Sequence, residues 1–268
     1  MIISFNQGGL CNRIKAWVSV QRYSHEFNCE YKIAWKIIDS YQINKHLFNC
    51  KFSDLFQNNC ELKNSKINNY ILHKNPDFLI FDSDNLPNNF SKFESNCKKK
   101  FIPSDKLKRN IDFEYLQIPD NVIQNYLPFF QNIKPINEIK QKILDFSKNF
   151  NSQTISLHIR SWSLPNEQER QSLFNIDKIK NKLKEFKNYQ IFLVTDNSKN
   201  KELLSEFNII TYPRLSQIDR NSTLGIQEDL IELFLLSKNK TMILSHFSTY
   251  SEVAWWFGGC STNIFIIK

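Results

Sequence analysis

The first thirteen residues, MIISFNQGGLCNR (residues 1–13), decide how the fold is read. Ile2–Phe5 is a short apolar run of strand type. Gln7-Gly8-Gly9 breaks it, because glycine admits backbone conformations closed to other residues. From Asn12 to about Phe27, apolar residues recur at helical spacing through Ile14, Trp17 and Val18. Tyr31–Trp35 then alternates like a strand. Strand, tight turn, helix and strand in that order open a doubly wound α/β unit.

A second series of the same kind begins at Thr154. Strands are predicted at Thr154–Ile159, Ile191–Val194, Ile209–Tyr212, Thr241–Leu244 and Asn263–Ile267. Helices alternate with them at Ile176–Phe186, Lys199–Glu206, Gly225–Ser237 and Thr249–Phe257. Before this series, Pro135 opens an amphipathic helix to about Phe150, with Ile136, Ile139, Ile143 and Leu144 on its apolar face. Residues 39–109 are polar, Asn-rich and punctuated by Pro76, Pro87 and Pro103, with short strands predicted at Tyr70–Leu72 and Phe78–Phe81. The two series meet near residues 130–153. The expected organisation is one domain over 1–135 and a second over 136–268. Two Rossmann-like domains facing across a cleft would present ligands to the carboxyl ends of their strands.

The chain is basic, with formal net charge +8, which favours anionic partners. The densest cluster runs from Lys98-Lys99-Lys100 through Lys106, Lys108 and Arg109. It reads either as a solvated loop or as a docking patch for a membrane or charged acceptor. No CxxC pair occurs among the six cysteines, so zinc-ribbon spacing is missing. The N-terminus lacks a basic region followed by a long apolar stretch, so it does not read as a signal peptide. A cytoplasmic location with reduced thiols is expected, with peripheral association at the inner membrane face compatible with the charge.

Four constellations carry chemistry. Gly8-Gly9-Leu10-Cys11-Asn12-Arg13 joins a glycine turn to a helix N-terminus, where backbone amides favour an anion. Arg13 opposes the helix dipole there, so another partner is expected for it. In Ser156-Leu157-His158-Ile159-Arg160, His158 and Arg160 share one face at the carboxyl end of a strand. Arg160 reads as a clamp for a diphosphate or as one half of an ion pair closing a loop. His158 reads as a ligand contact or as a satisfied core residue. Thr195-Asp196-Asn197 crowns the next strand, where Asp196 or Ser198 also serves as a helix cap. Ser248, Thr249 and Tyr250 open the last helix, as a phosphate cradle or as ordinary capping residues. On the preceding helix, Glu232 is either a surface acid or an acceptor for the N1 and N2 hydrogens of guanine.

Taken together, the order G-G-L-x-N-R, H-x-R, T-D-N and a C-terminal serine-rich turn resembles the fucosyltransferase-like superfamily, which includes the α1,6-, nodulation and protein O-fucosyltransferases. Trp35 and Cys50-Lys51-Phe52-Ser53-Asp54-Leu55-Phe56 are also similar to its bacterial members. The resemblance implies a GT-B-like fold, GDP-fucose as donor, inversion at the anomeric carbon and no metal or other cofactor. By the same resemblance, Arg160 would hold the β-phosphate. His158 and Glu232 would lie near guanine, and Ser248, Thr249 and Tyr250 near the phosphates. Asn12 would sit by the reacting centre, with Arg13 supporting its loop. Many relatives read H-x-R-R-x-D, whereas this chain reads His158-Ile159-Arg160-Ser161-Trp162-Ser163, which leaves the sugar open.

The implied reaction is attack of an acceptor hydroxyl on C1 of the donor sugar as GDP departs. The acceptor would be a glycan or a lipid-linked oligosaccharide. Glu167 and Glu169 are the candidates for general base, Glu167 in first place, and both also read as solvated loop acids. The competing readings are a transferase for GDP-linked mannose or heptose, a non-catalytic sugar-binding relative, and a basic nucleic-acid-binding protein. Against the last, no helix carries clustered Arg and no RNP-like strand occurs, so no nucleic-acid partner is expected.

Overall fold

The computed structural model describes residues 2–6, 9–26, 28, 30–35, 37, 47–61, 79–82, 120–161, 171–216 and 221–267. Among them, those within 1–111, 118–136 and 220–226 pack as one unit. Those within 137–219 and 227–268 pack as the other. Each unit holds its own parallel sheet.

In the first unit, β1 (Ile2–Asn6) lies between β2 (Tyr31–Trp35) and β3 (Leu79–Asp82), with both pairings parallel. Helix α1 (Leu10–Glu26) makes the crossover from β1 to β2. It buries Ile14, Trp17 and Val18, positions that the helical spacing selects, and also Val20. A single 3₁₀ turn at Phe52–Asp54 packs Phe52 and Phe56 edge-on to Trp17, at centroid distances of 5.0 and 5.2 Å. Helix α2 (Asp120–Gln131) was not expected from the sequence. Pro128 inside it masks the pattern, since proline removes one backbone donor and normally ends a helix. The strand expected at Tyr70–Leu72 and the basic run 98–109 lie outside the described residues.

The helix expected from Pro135 begins later, as α3 (Asn137–Ser147). Pro135 instead bridges to Phe56, and the Ile136 amide donates to the Leu55 carbonyl at 3.0 Å, so neither residue is available to a helix. The second unit's sheet contains β4 (Thr154–Ile159), β5 (Gln190–Thr195), β6 (Ile209–Ile210), β7 (Thr241–Ser245) and β8 (Asn263–Ile267). Their spatial order is β6-β5-β4-β7-β8, all parallel. Helices α4 (Ile176–Lys184), α5 (Lys199–Leu203), α6 (Thr223–Leu236) and α7 (Thr249–Phe257) alternate with the strands. Strand β6 stops at Ile210 rather than Tyr212, because Tyr212 turns its ring edge onto Phe146 at 5.4 Å and Pro213 offers no ladder donor.

The central strand β4 is buried along its whole length. Ile155, Leu157 and Ile159 face Ile179 and Leu183 of α4 and join Ile191 and Leu193 of β5. On the other face, Phe192 packs against Phe146 and Phe150. The buried polar positions of β4 are satisfied. Thr154 Oγ1 donates to Gln190 Oε1 at 2.7 Å, and Ser156 Oγ donates to the Leu236 carbonyl at 2.7 Å. No helix of the described residues is long and apolar enough to cross a membrane.

Candidate functional site

In the second unit the strand order reverses beside β4. The chain runs outward one way through β5 and β6, then returns to the other side of β4 as β7 and β8. The carboxyl ends of β4 and β7 are therefore the point where the strand order reverses, the usual ligand position of an open α/β sheet. His158 and Arg160 sit at that end of β4, Asp196 at that end of β5, and Ser245 to Tyr250 at that end of β7.

These residues form one connected network. The Arg160 amide donates to Ser245 Oγ at 2.8 Å, and Ser245 Oγ donates to the His158 carbonyl at 3.0 Å. Ser245 thus ties β4 to β7 where the two strands end. Arg160 Nη1 lies 3.0 Å from Asp196 Oδ2, with both side chains largely buried. The other carboxylate oxygen of Asp196 accepts from the Ser161 amide at 2.8 Å and from Ser161 Oγ at 2.7 Å. Asp196 therefore holds the guanidinium and is itself anchored. Of the two readings of Arg160, the ion pair is present in this structure.

His158 is fully desolvated. Its Nδ1 is 2.7 Å from Ser251 Oγ, and its ring stacks on Tyr250 at 4.9 Å. Burial pushes its pKa from the ordinary 6.5 down to about 3, with Arg160 adding to the fall and Asp196 opposing it. The imidazole is neutral at physiological pH. Tyr250 donates its hydroxyl to the Asp229 carbonyl at 2.5 Å, which fixes its ring against His158. Ser248 caps α7, its side chain accepting from the Ser251 amide. Thr249 is the first residue of that helix and is half-buried.

Glu232 is buried at 6% exposure rather than lying on the surface. Arg214 Nη1 meets Glu232 Oε2 at 2.6 Å and Asp229 Oδ1 at 2.9 Å. Its Nε lies 3.6 Å from Glu228 Oε2. Glu228 also accepts from the Leu215 amide at 2.7 Å and from the Ser216 amide at 3.0 Å. One guanidinium thus faces three carboxylates and cannot neutralise them all. Burial pushes Glu232 up to about 8 despite the opposing pull of Arg214.

Sequence reasoning missed Arg214, whereas Ser245 and Ser251 lie in the serine-rich turn that it singled out, and Ser161 in the run that departs from H-x-R-R-x-D. A signal for Arg214 existed. Glu228, Asp229 and Glu232 interrupt a helix that is otherwise almost wholly apolar, TLGIQEDLIELFLL, and acids buried in such a helix require a cation.

In the first unit, Gly9 accepts from the Arg13 amide at 3.1 Å as α1 begins. Arg13 is fully buried, its guanidinium carbon 3.9 Å from the Phe48 ring centroid and 4.9 Å from that of Trp35. The partners expected for this cation are aromatic faces. Asn12 Oδ1 is buried without a hydrogen-bond donor among the described residues. Gly8, Glu167 and Glu169 lie outside them.

Structural comparison finds this architecture in solved fucosyltransferases. NodZ α-1,6-fucosyltransferase co-crystallised with GDP superposes with TM-score 0.57 at 15% identity, over 94% of this chain and 90% of that one. The same enzyme soaked with GDP-fucose gives 0.53 at 16% identity, over 96% and 91%. A variant of Arabidopsis thaliana FUT1 in complex with GDP gives 0.54 at 14% identity, over 99% and 69%. The chain has the fucosyltransferase fold. No family model and no curated protein sequence matches it.

The two displaced pKa values oppose one another in the stability of this fold. Glu232 keeps in the folded state a proton that the unfolded chain releases above its ordinary 4.5, so its contribution is lost as pH rises from about 4.5 to about 8. His158 refuses a proton that the unfolded chain accepts below 6.5, so its contribution is lost as pH falls from 6.5 toward about 3. Between pH 6.5 and 8 only Glu232 acts. Urea-denaturation midpoints should therefore fall with rising pH in that window for the wild type and lose that slope in Glu232→Gln.

Proposed function

We propose that this protein is a glycosyltransferase that holds a GDP-sugar, GDP-fucose before GDP-mannose or a GDP-heptose, at the carboxyl ends of β4 and β7 in its second unit. The observation that carries the reading is the convergence there of Arg160, Asp196, His158 and the Ser248–Tyr250 turn. GDP and GDP-fucose accompany solved proteins of this fold.

In this mechanism the acceptor hydroxyl attacks C1 of the donor sugar from the face opposite the leaving group. The bond between C1 and the β-phosphate oxygen breaks, the configuration inverts and GDP leaves. Arg160 meets the charge that develops on the diphosphate, since a guanidinium is a five-donor fork able to engage a carboxylate and a phosphate together. Asp196 keeps that fork oriented. Asn12, whose Oδ1 is buried without a donor among the described residues, is the first unit's candidate for a contact to the reacting centre. Glu167, or Glu169, takes the acceptor proton. No metal is needed, and turnover should persist in EDTA. The acceptor is a glycan or lipid-linked oligosaccharide.

His158 and Glu232 form the guanine end of the site. Ionised Glu232 accepts from guanine N1–H and N2–H together, an option that uracil does not offer. Glu232→Gln should weaken GDP by about tenfold and leave UDP unchanged, as read by calorimetry. In the wild type, GDP affinity should rise as pH is raised through about 8, where Glu232 loses its proton. Equal effects on both nucleotides would remove Glu232 from base recognition. A thermal-shift screen of GDP, UDP, ADP and several GDP-sugars tests the whole reading, and failure of GDP to stabilise the protein defeats it.

A further inference from the structure

The first unit carries a cavity that the proposed chemistry does not use. It has a volume of about 490 Å³, within the ~300–1,000 Å³ typical of small-ligand sites. Gln21 and His25 on the last turns of α1 form one wall, Asn28, Glu30 and Tyr31 the entry to β2, and Phe129 and Asn132 the end of α2. Helix α1 begins beside the Gly9–Asn12 turn and ends at this cavity, so roughly 25 Å of helix separates the two places.

We infer that this cavity is a binding site for a neutral saccharide. Its lining is the argument. The chain has 35 Lys and Arg residues, yet among the described residues that line the cavity none is Lys or Arg. A phosphate or a nucleic-acid backbone finds no cation among these described residues, and Glu30 repels one. Three amides, on Gln21, Asn28 and Asn132, each bring donors and an acceptor, the mixed valence that vicinal hydroxyls require. Phe129 brings an apolar face for the C–H side of a sugar ring, and His25 meets that ring edge-on at a centroid distance of 5.9 Å. Burial pushes the Tyr31 pKa up to about 12, so Tyr31 brings the cavity no charge.

The geometry is set by backbone. Asn28 adopts φ 47°, a left-handed conformation that Asn tolerates better than most residues, and its amide closes the end of α1 on the His25 carbonyl at 3.4 Å. The turn thereby fixes the rim on which Asn28 and Glu30 stand exposed. A mixed amide and aromatic surface on rigid elements suits a short uncharged oligosaccharide. The inference holds whether or not the second unit turns over a donor.

The test is titration of the intact protein with cellotetraose, maltotetraose and chitotetraose, followed by calorimetry and by amide chemical shifts. At least one should bind saturably, with shifts at residues 21–32 and 129–132. Phe129→Ala and Asn132→Lys should each weaken that sugar by about tenfold or more, with GDP affinity unchanged. Asn132 is exposed, so its variant reports on binding even if Phe129→Ala disturbs folding. Absence of saturation with all three sugars overturns the inference. So does saturable binding that Asn132→Lys leaves at the wild-type value. Loss of GDP binding with sugar binding intact would instead refute the donor-site reading alone.

Discussion

Arg160→Ala is expected to lower donor turnover by about 10²–10³-fold, the cost of removing one pre-aimed group that stabilises charge in the transition state. The fold should survive it. Asp196 loses its partner at 3.0 Å, yet it still accepts from the Ser161 amide and hydroxyl. The Arg160 backbone amide, bonded to Ser245 Oγ, is untouched by the substitution. The readouts are GDP affinity by calorimetry and GDP-fucose hydrolysis under single-turnover conditions. Turnover should fall further than GDP affinity, because the leaving diphosphate gains charge as the reaction proceeds. Arg160→Lys should recover only part of the loss, since an ammonium keeps the charge without the planar fork. Wild-type hydrolysis in Arg160→Ala would leave the ion pair with Asp196 as the whole role of this residue.

Arg214→Ala is expected to destabilise the second unit by about 3–5 kcal/mol, the usual cost of leaving buried charge without its partner. Glu228, Asp229 and Glu232 have side-chain exposures of 2%, 22% and 8%, and all three face this one guanidinium. Glu228 keeps its amide donors from Leu215 and Ser216, whereas Glu232 loses its Arg214 donor at 2.6 Å. Urea denaturation measures the change. Glu232→Gln introduced into Arg214→Ala should add little further loss near neutral pH, because burial pushes the Glu232 pKa up to about 8 and the side chain already carries a proton there. A loss below about 1 kcal/mol in the single variant would show that the cluster is hydrated and exchanges its charge with water.

The two substitutions separate two roles of arginine at one end of one sheet. Arg160 follows a strand and its neighbour Asp196 follows the adjacent strand, so parallel pairing of Ile159 with Thr195 brings them together. That proximity was readable from two polar triplets that each crown a predicted strand. Arg214 lies in an irregular segment after β6, which ends at Ile210. Nothing in the local sequence ties that segment to a helix that starts at Thr223. Only the fold sets Arg214 against Asp229 and Glu232.

What the sequence determined by itself was everything governed by local period and local backbone freedom. The glycine turn, the helical spacing of α1 and the apolar runs of β4, β5 and β7 each identify an element without reference to any other. The order of those elements restricts the sheets to parallel pairing. Helix α2 escaped because Pro128 contradicts the local rule and its surroundings override it. Tertiary structure alone decided the state of the charged groups. Whether Glu232 is a solvated acid or a buried one near pKa 8, and whether His158 titrates near 6.5 or near 3, depends on desolvation by residues distant in the chain. Ionisation responds to the whole surroundings of an atom, and those surroundings exist only once the chain has closed on itself.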